Sequence, residues 1–257
     1  MEMTSYAPGT PSWVDIGVPD IAAAAAFYAD LFGWDIPEGD PAAGGYRLAH
    51  LRGRPVAGIG PQQNPGPPMW TTYIATADVD ASCTAVTGAG GQILVPAMDV
   101  MDQGRMAVCT DPAGAVFSLW QPLAHPGSGV VSEPGSMCWN ELTTRQVDAA
   151  KAFYGTVFGW EAADQDMGDF LYTEWRLAGT GIGGMMPMAG DMWEGVPDHW
   201  MVYFAVEDTD AAAARITELG GTVHVAPFDI PPGRMAVVAD PTGGTFSILA
   251  MVDELRS

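Results

Sequence analysis

Two acidic residues each follow a tryptophan by two positions, in two stretches of the chain that are similar to one another. Asp15 follows Trp13 in "PSWVDIG", and Glu141 follows Trp139 in "MCWNELT". Residues two apart on a β-strand share a face, so each acid is expected beside its tryptophan. A carboxyl group in an apolar site has a raised pKa, and it can act as a catalytic base or anchor a ligand. A purely structural role, with the acid held by backbone or indole N–H groups, stays open.

These stretches belong to a repeat that covers most of the chain. An offset of 126 residues pairs Trp13 with Trp139 and Trp34 with Trp160, and "GRMAVCTDPAGAVFSLW" matches "GRMAVVADPTGGTFSIL" further on. The intervening "PLAHPGSGVVSEPGS" is rich in Pro, Gly and Ser, as linkers are. We therefore predict one domain over residues 1–121, a linker over 122–136 and a second domain over 137–257.

Each copy has the signals of a strand followed by a helix. "WVDIG" alternates as a half-buried strand does. Asp20 is typical of an N-cap, and apolar residues recur behind it at helical spacing as far as Gly33, which predicts the helix end. Later in the copy, Asp111-Pro112-Ala113-Gly114 predicts the turn of a closing hairpin. Each copy thus contains two units of one strand, one helix and several strands.

Four such units, a helix that ends in "FY…FGW" and a "DP-x-G" hairpin together resemble the vicinal oxygen chelate superfamily. This superfamily includes glyoxalase I, bleomycin-resistance proteins and extradiol dioxygenases. The resemblance covers nearly the whole chain, twice over. It implies an α+β fold of tandem duplicated domains, each made of two βαβββ modules that form a curled mixed sheet around a cavity.

The resemblance also indicates where metal-dependent members carry their ligands. In this chain those positions hold Trp13, Thr72, Gly58 and Ser118 in the first copy, and Trp139, Val202, Gly184 and Ser247 in the second. An indole N–H cannot ligate a cation, and a lone serine hydroxyl is a poor ligand. We therefore expect no metal site and no cofactor. Three cysteines without Cys-x-x-Cys spacing add no thiolate site.

Aromatic side chains are expected to line both cavities instead. The candidate ligand-binding residues are Trp13, Trp70, Ser118, Trp120, Trp139, His199, Trp200 and Ser247. Aromatic linings suit flat, apolar ligands. Two other histidines, His125 in the linker and His224 in a strand, are expected to be structural or to lie at the surface.

Composition limits the class of partner. The formal net charge is −21, and Lys151 is the only lysine. So negative a surface repels nucleic-acid phosphates and anionic lipids. No apolar run approaches the roughly 18 residues of a membrane span, and no signal peptide is evident. The expectation is a cytoplasmic monomer or homodimer with a small-molecule ligand.

The preferred functional hypothesis is a protein that binds a small aromatic or apolar organic metabolite without a conventional metal site. It would then be a metal-independent tailoring enzyme of secondary metabolism. One alternative is a non-catalytic protein that sequesters a drug or metabolite, as bleomycin-resistance proteins do. Another is a metal-dependent glyoxalase or dioxygenase with unconventional ligands such as Asp15, Glu141 and His199.

Overall fold

The repeat in the sequence corresponds to two halves of the structure with the same fold. The computed structural model describes residues 1–63 and 65–252. Each half of this region contributes two α-helices, which are α1 (Ile21–Phe32) and α2 (Val79–Gly88) in the first half and α3 (Val147–Phe158) and α4 (Thr209–Glu218) in the second. The predicted α+β architecture of tandem domains is confirmed.

The first half forms a mixed sheet of seven strands. Its strands are β1 (Pro11–Val18), β2 (Arg47–Leu51), β3 (Arg54–Pro61), β4 (Trp70–Ala75), β5 (Gln92–Val100), β6 (Gly104–Thr110) and β7 (Val116–Pro122). Their order across the sheet is β2-β3-β1-β4-β7-β6-β5. The parallel pairs β1/β3 and β4/β7 belong to the two units predicted from the sequence.

The second half forms a sheet of eight strands. They are β8 (Met137–Thr144), β9 (Glu161–Asp166), β10 (Leu171–Leu177), β11 (Thr180–Pro187), β12 (His199–Ala205), β13 (Thr222–Ile230), β14 (Gly233–Ala239) and β15 (Thr245–Met251). Their order across the sheet is β9-β10-β11-β8-β12-β15-β14-β13. From β10 to β13 this order repeats that of the first sheet, and β9 is added at the edge. In the first half, a single bridge between Asp35 and His50 stands where β9 would pair. Neither sheet closes into a barrel.

Local signals set the helix ends where they were predicted. The Asp20 carboxylate accepts a hydrogen bond from the Ala23 N–H, which starts α1. Gly33 ends the helix with a positive φ of 69°, and its N–H donates to the Ala29 carbonyl. The predicted hairpin turn is also present, since the Gly114 N–H donates to the Asp111 carbonyl.

One face of each sheet packs into an apolar core shared between the halves. Val14 and Ile16 of β1 lie in one cluster with Phe204 of β12 and Phe246 of β15. Helix α3 contributes Phe153 to a second cluster that also contains residues of β4 and β7. The "FY" helix of each half is therefore buried against the other half.

Reciprocal hydrogen bonds join the halves across this core. The Tyr28 hydroxyl of α1 donates to the Asp240 carboxylate at 2.8 Å, and the Tyr154 hydroxyl of α3 donates to Asp111 at 3.2 Å. Both aspartates belong to the "DP-x-G" turns. Buried carboxylates need such donors, so the two sequence motifs of the repeat fasten the halves together.

Candidate functional site

The face of each sheet that points away from the shared core carries the acids. On β1, Trp13 lies in a separate aromatic cluster with Tyr73 of β4 and Trp120 of β7. In the second half, Tyr203 and Leu249 form the corresponding cluster, against which Trp139 packs. We call these two surfaces the first and second aromatic faces.

On the first aromatic face, Asp15 sits at the centre of a hydrogen-bonded network. The Tyr73 hydroxyl donates to Asp15 Oδ2 at 2.8 Å, and the Tyr46 hydroxyl donates to the same oxygen at 3.1 Å. The Trp13 Nε1–H donates in turn to the Tyr46 hydroxyl at 3.2 Å. Asp15 Oδ1 has no hydrogen-bond partner among the described residues, and the side chain keeps some contact with solvent.

The second aromatic face repeats the network around Glu141, with one difference. The Tyr203 hydroxyl donates to Glu141 Oε1 and the Tyr172 hydroxyl donates to Oε2, both at 2.8 Å. The Trp139 Nε1–H donates to the Tyr172 hydroxyl at 2.9 Å. Both carboxylate oxygens are therefore engaged, and Glu141 is only 5% exposed.

A glycine makes room for one tyrosine in each network. The Tyr46 hydroxyl lies over Gly58 of β3, and the Tyr172 hydroxyl lies over Gly184 of β11, so closely that an added Cβ would overlap it. Gly58 and Gly184 are the Cα partners of Asp15 and Glu141 in the parallel ladders. The absence of a side chain is what lets each phenol reach its acid.

Burial sets the protonation of both networks. Burial raises the pKa of Asp15 to about 6, an effect that the hydrogen bonds from Tyr73 and Tyr46 partly oppose. Burial raises the pKa of Glu141 in the same way. The pKa values of the four phenols are raised by burial first and then by the charge of the acid. At neutral pH the phenols are therefore donors and Asp15 is mostly ionised.

A family model described as Glyoxalase/Bleomycin resistance protein/Dioxygenase superfamily matches residues 10–119 and, a second time, residues 137–248. The chain belongs to this superfamily.

Relatives within the superfamily are similar over nearly their whole length. "Putative glyoxylase CFP32" of Mycobacterium tuberculosis is 44% identical, and the match covers 96% of each chain. "Anthracycline biosynthesis protein DnrV" of Streptomyces peucetius is 40% identical, covering 97% of this chain and 96% of that one.

Solved structures of superfamily members show the same fold. An Mn(II)-bound glyoxalase from Novosphingobium aromaticivorans has a TM-score of 0.66 at 20% identity, covering 96% of this chain and 84% of that one. The 2,3-dioxygenase LapB from Pseudomonas sp. KL28 has a TM-score of 0.65 at 12% identity, covering 96% and 93%. At these identities the likeness concerns the fold alone.

The donor set of this superfamily member does not fit a metal ion. No cluster of three or more His, Cys, Asp or Glu side chains suited to a metal occurs in residues 1–63 and 65–252. Each aromatic face offers one carboxylate, surrounded by protonated phenols and an indole N–H that point their hydrogens inward. Such groups donate hydrogen bonds and do not ligate a cation.

The structure corrects the expected positions of Thr72 on β4 and Val202 on β12. Thr72 and Val202 were expected at the place of a metal ligand, but they lie on the side of the shared core, where Thr72 Oγ1 donates to Asn140 Oδ1 at 2.8 Å. Their neighbours Tyr73 and Tyr203 occupy the aromatic faces. One residue along a strand reverses the side-chain direction.

Two further tryptophans lie away from the faces where ligand contact was expected. Trp70 and Trp200 are buried in the shared core, and they donate Nε1–H to Tyr28 at 3.1 Å and to Tyr154 at 2.9 Å. The role of these indoles in the structure is to connect the helices to the sheets, and we do not propose them as ligand contacts.

The remaining candidates lie on or beside the faces. The hydroxyls of Ser118 and Ser247 are buried next to the phenols of Tyr73 and Tyr203, without a hydrogen bond of normal geometry. His199 starts β12 on the side of Tyr203, two residues before Met201, the Cα partner of Glu141. Its ring contacts the Pro197 carbonyl at 2.9 Å, and burial lowers its pKa.

The sequence reasoning missed the four tyrosines as members of the networks and the contact between His125 and Trp13. The pairs Tyr46/Tyr172 and Tyr73/Tyr203 hold equivalent places in the repeat, which was the available signal. His125, expected to be structural or at the surface, packs its ring edge-on against Trp13 with centroids 4.4 Å apart. Nothing in the local sequence of the linker indicates that contact.

Proposed function

We propose that this protein binds a small aromatic organic metabolite on its aromatic faces without the help of a metal ion, as a tailoring protein of secondary metabolism. The observation that carries the proposal is the hydrogen-bonded network of one acid, two phenols and an indole in each half.

The chemistry of the first aromatic face supports an aromatic ligand. Trp13, Tyr73 and Trp120 form a buried aromatic cluster, and Asp15 has a carboxylate oxygen that no described residue engages. Aromatic rings bind flat ligands, and a few placed polar groups orient them. An ionised Asp15 can also accept a proton from a hydroxyl group of the ligand, as a general base would.

Similarity supports the biological setting. One relative is named as a protein of anthracycline biosynthesis, which is consistent with a role in secondary metabolism. The aligned region covers almost all of both chains, so the whole protein and not one domain is compared.

The proposal is tested by binding and by elemental analysis of one preparation. The protein is purified, dialysed against EDTA and titrated with 2,6-dihydroxynaphthalene while tryptophan fluorescence is followed. We expect saturable quenching, an unchanged melting temperature after chelation, and substoichiometric zinc, nickel, iron and manganese by mass spectrometry. One tightly bound divalent ion per half, or the absence of saturable quenching, would refute it.

A further inference from the structure

Two of the three cysteines meet on the helix side of the first sheet. Cys83 lies on α2 and Cys109 lies on β6, and both belong to the apolar cluster that these elements share with α3. Their side chains are free thiols, and the two thiols hydrogen-bond one another. Two thiols that touch across separate elements can be joined by a disulfide.

The two thiols differ in their access to solvent. Cys83 is partly exposed, whereas Cys109 is fully buried beneath it. The guanidinium of Arg105, which pairs with Asp80 at 2.7 Å, lies near Cys83. Thiol pairs that react with oxidants combine one accessible sulfur with a second sulfur placed to resolve the product. A small oxidant therefore reaches Cys83 first.

Burial keeps both thiols protonated at neutral pH. Burial raises the pKa of Cys83, the charge of Asp80 raises it further, and Arg105 opposes the shift. Burial raises the pKa of Cys109 to about 12. The thiolate is the form that attacks an oxidant, so the pair reacts slowly at pH 7 and faster as the pH rises.

The second half has no sulfur at the corresponding contact. The offset of 130 that relates α2 to α4 pairs Cys83 with Ala213, and the offset of 129 that relates the closing hairpins pairs Cys109 with Val238. Ala213 and Val238 are both buried in the shared core. The fold therefore needs only an apolar contact here, and the two sulfurs are particular to the first half.

We propose that Cys83 and Cys109 form a dithiol site that hydrogen peroxide oxidises to a disulfide. The Cys83 thiolate attacks one peroxide oxygen and becomes a sulfenic acid, while the other oxygen takes up a proton and leaves as water. The Cys109 thiol then displaces the hydroxyl of the sulfenic acid, which gives the disulfide and a second water. The two thiols lose two electrons, and the peroxide gains them.

The disulfide fastens α2 to β6 and closes a loop that contains β5. This strand lies at the edge of the first sheet, and most of its side chains are exposed. Closing a loop restricts the unfolded chain, so we expect the oxidised protein to melt about 5 °C higher than the reduced protein. The inference does not depend on the proposed ligand, because neither cysteine belongs to the cluster of an aromatic face.

The first test counts thiols. The reduced protein is treated with hydrogen peroxide at pH 7.5, unfolded in guanidinium and labelled with N-ethylmaleimide. We expect the number of labels to fall from three to one, and peptide mass spectrometry should show a Cys83–Cys109 disulfide with the loss of two hydrogens. Three labels after peroxide, or a bridge between two chains, would overturn the inference.

Variants assign the order of the two steps. Cys109→Val should accumulate a sulfenic acid at Cys83, which dimedone traps, whereas Cys83→Ala should give no dimedone adduct and keep both remaining labels. Each variant carries the residue that the second half has at that position. Cys138→Ala is the matched control, since the Cys138 thiol donates to the Tyr203 carbonyl at 3.5 Å, and this variant should form the disulfide as the unmodified protein does. Trapping at Cys109 in Cys83→Ala would contradict the assigned order.

The pH dependence and the melting temperature complete the test. Between pH 6.5 and pH 8 the rate of disulfide formation should rise about tenfold per pH unit, because it follows the fraction of Cys83 thiolate. A flat profile would show that this thiolate is not the group that attacks. An oxidised protein that melts at the same temperature as the reduced one, with the disulfide verified by mass spectrometry, would contradict the predicted fastening of α2 to β6.

Discussion

The two aromatic faces share their phenols, indole and glycine, yet their acids are used differently. In the first half, the shorter Asp15 receives both phenols on one oxygen and leaves the other free. In the second half, the longer Glu141 reaches between the phenols and gives one oxygen to each. One methylene group thus separates an acid that can still accept a ligand from one whose acceptors are filled.

The difference shows how a duplicated fold can keep a network and change its use. The phenols and the indole satisfy a buried carboxylate in both halves, which the fold needs whether or not a ligand binds. Among the described residues, only the first half leaves a carboxylate oxygen of the acid without a donor, and a linker imidazole packs on the neighbouring Trp13.

The largest loss of stability is expected from substitution of the glycine that lies under a phenol in each half. Gly58→Ala and Gly184→Ala should each lower the free energy of unfolding by about 3 kcal/mol, because the added Cβ displaces the phenol and leaves the acid poorly paired. Urea titration at pH 7.5 measures this. Gly88→Ala, where an added Cβ meets open space, is the control and should be near neutral. If Gly58→Ala left the free energy of unfolding unchanged while Gly184→Ala lowered it, Tyr46 and Tyr172 would not have equivalent roles.

The second largest effect concerns the pH dependence of stability that Asp15 of the first half contributes. The pKa of Asp15 is raised from 3.8 to about 6, so the folded state holds this proton more tightly than the unfolded state. The resulting stability is complete below about pH 3.8 and is lost as the pH rises through 6. The shift corresponds to about 3 kcal/mol, reduced to about 2 kcal/mol because Asp15 keeps some contact with solvent.

Asp15→Asn removes the loss of stability that occurs when Asp15 ionises. Relative to the unmodified protein, the variant should gain about 1.3 kcal/mol of stability between pH 4.5 and pH 7.5, measured by urea titration across this range, since the remainder of the effect falls between pH 3.8 and pH 4.5. Contributions from Glu141 and the histidines cancel in the comparison. Parallel pH profiles for the two proteins would show that Asp15 is not the group that titrates.

The smallest effect concerns amide replacement at pH 7.5. Asn at position 15 can keep its oxygen toward both phenols, whereas Gln at position 141 turns an NH₂ group toward one of them. We therefore expect Glu141→Gln to be about 1 kcal/mol less stable than Asp15→Asn. Adding Tyr203→Phe to Glu141→Gln should recover part of the loss, because it removes a phenol without an acceptor. Equal stability of the two amide variants would remove the distinction between the acids.

The sequence alone determined the duplication, the helix bounded by Asp20 and Gly33, the turn at Asp111, and the position of each acid two residues after Trp13 or Trp139. These features depend on local geometry and residue chemistry, which each stretch of chain carries with it. The pairing of tyrosines with acids could not be read in the same way, because Tyr46 reaches Asp15 from another strand over a glycine.

Only the tertiary structure decided which face of β4 and β12 belongs to the site. Both faces of these strands are largely buried, since one packs into the shared core and the other into an aromatic face, so no alternation of buried and exposed residues marks the direction of Trp70 or Tyr73. His125 is a stronger case: the path of the linker alone brings its ring to Trp13, more than 100 positions away along the chain. Contacts between distant segments arise from packing the whole chain, and local sequence carries no record of them.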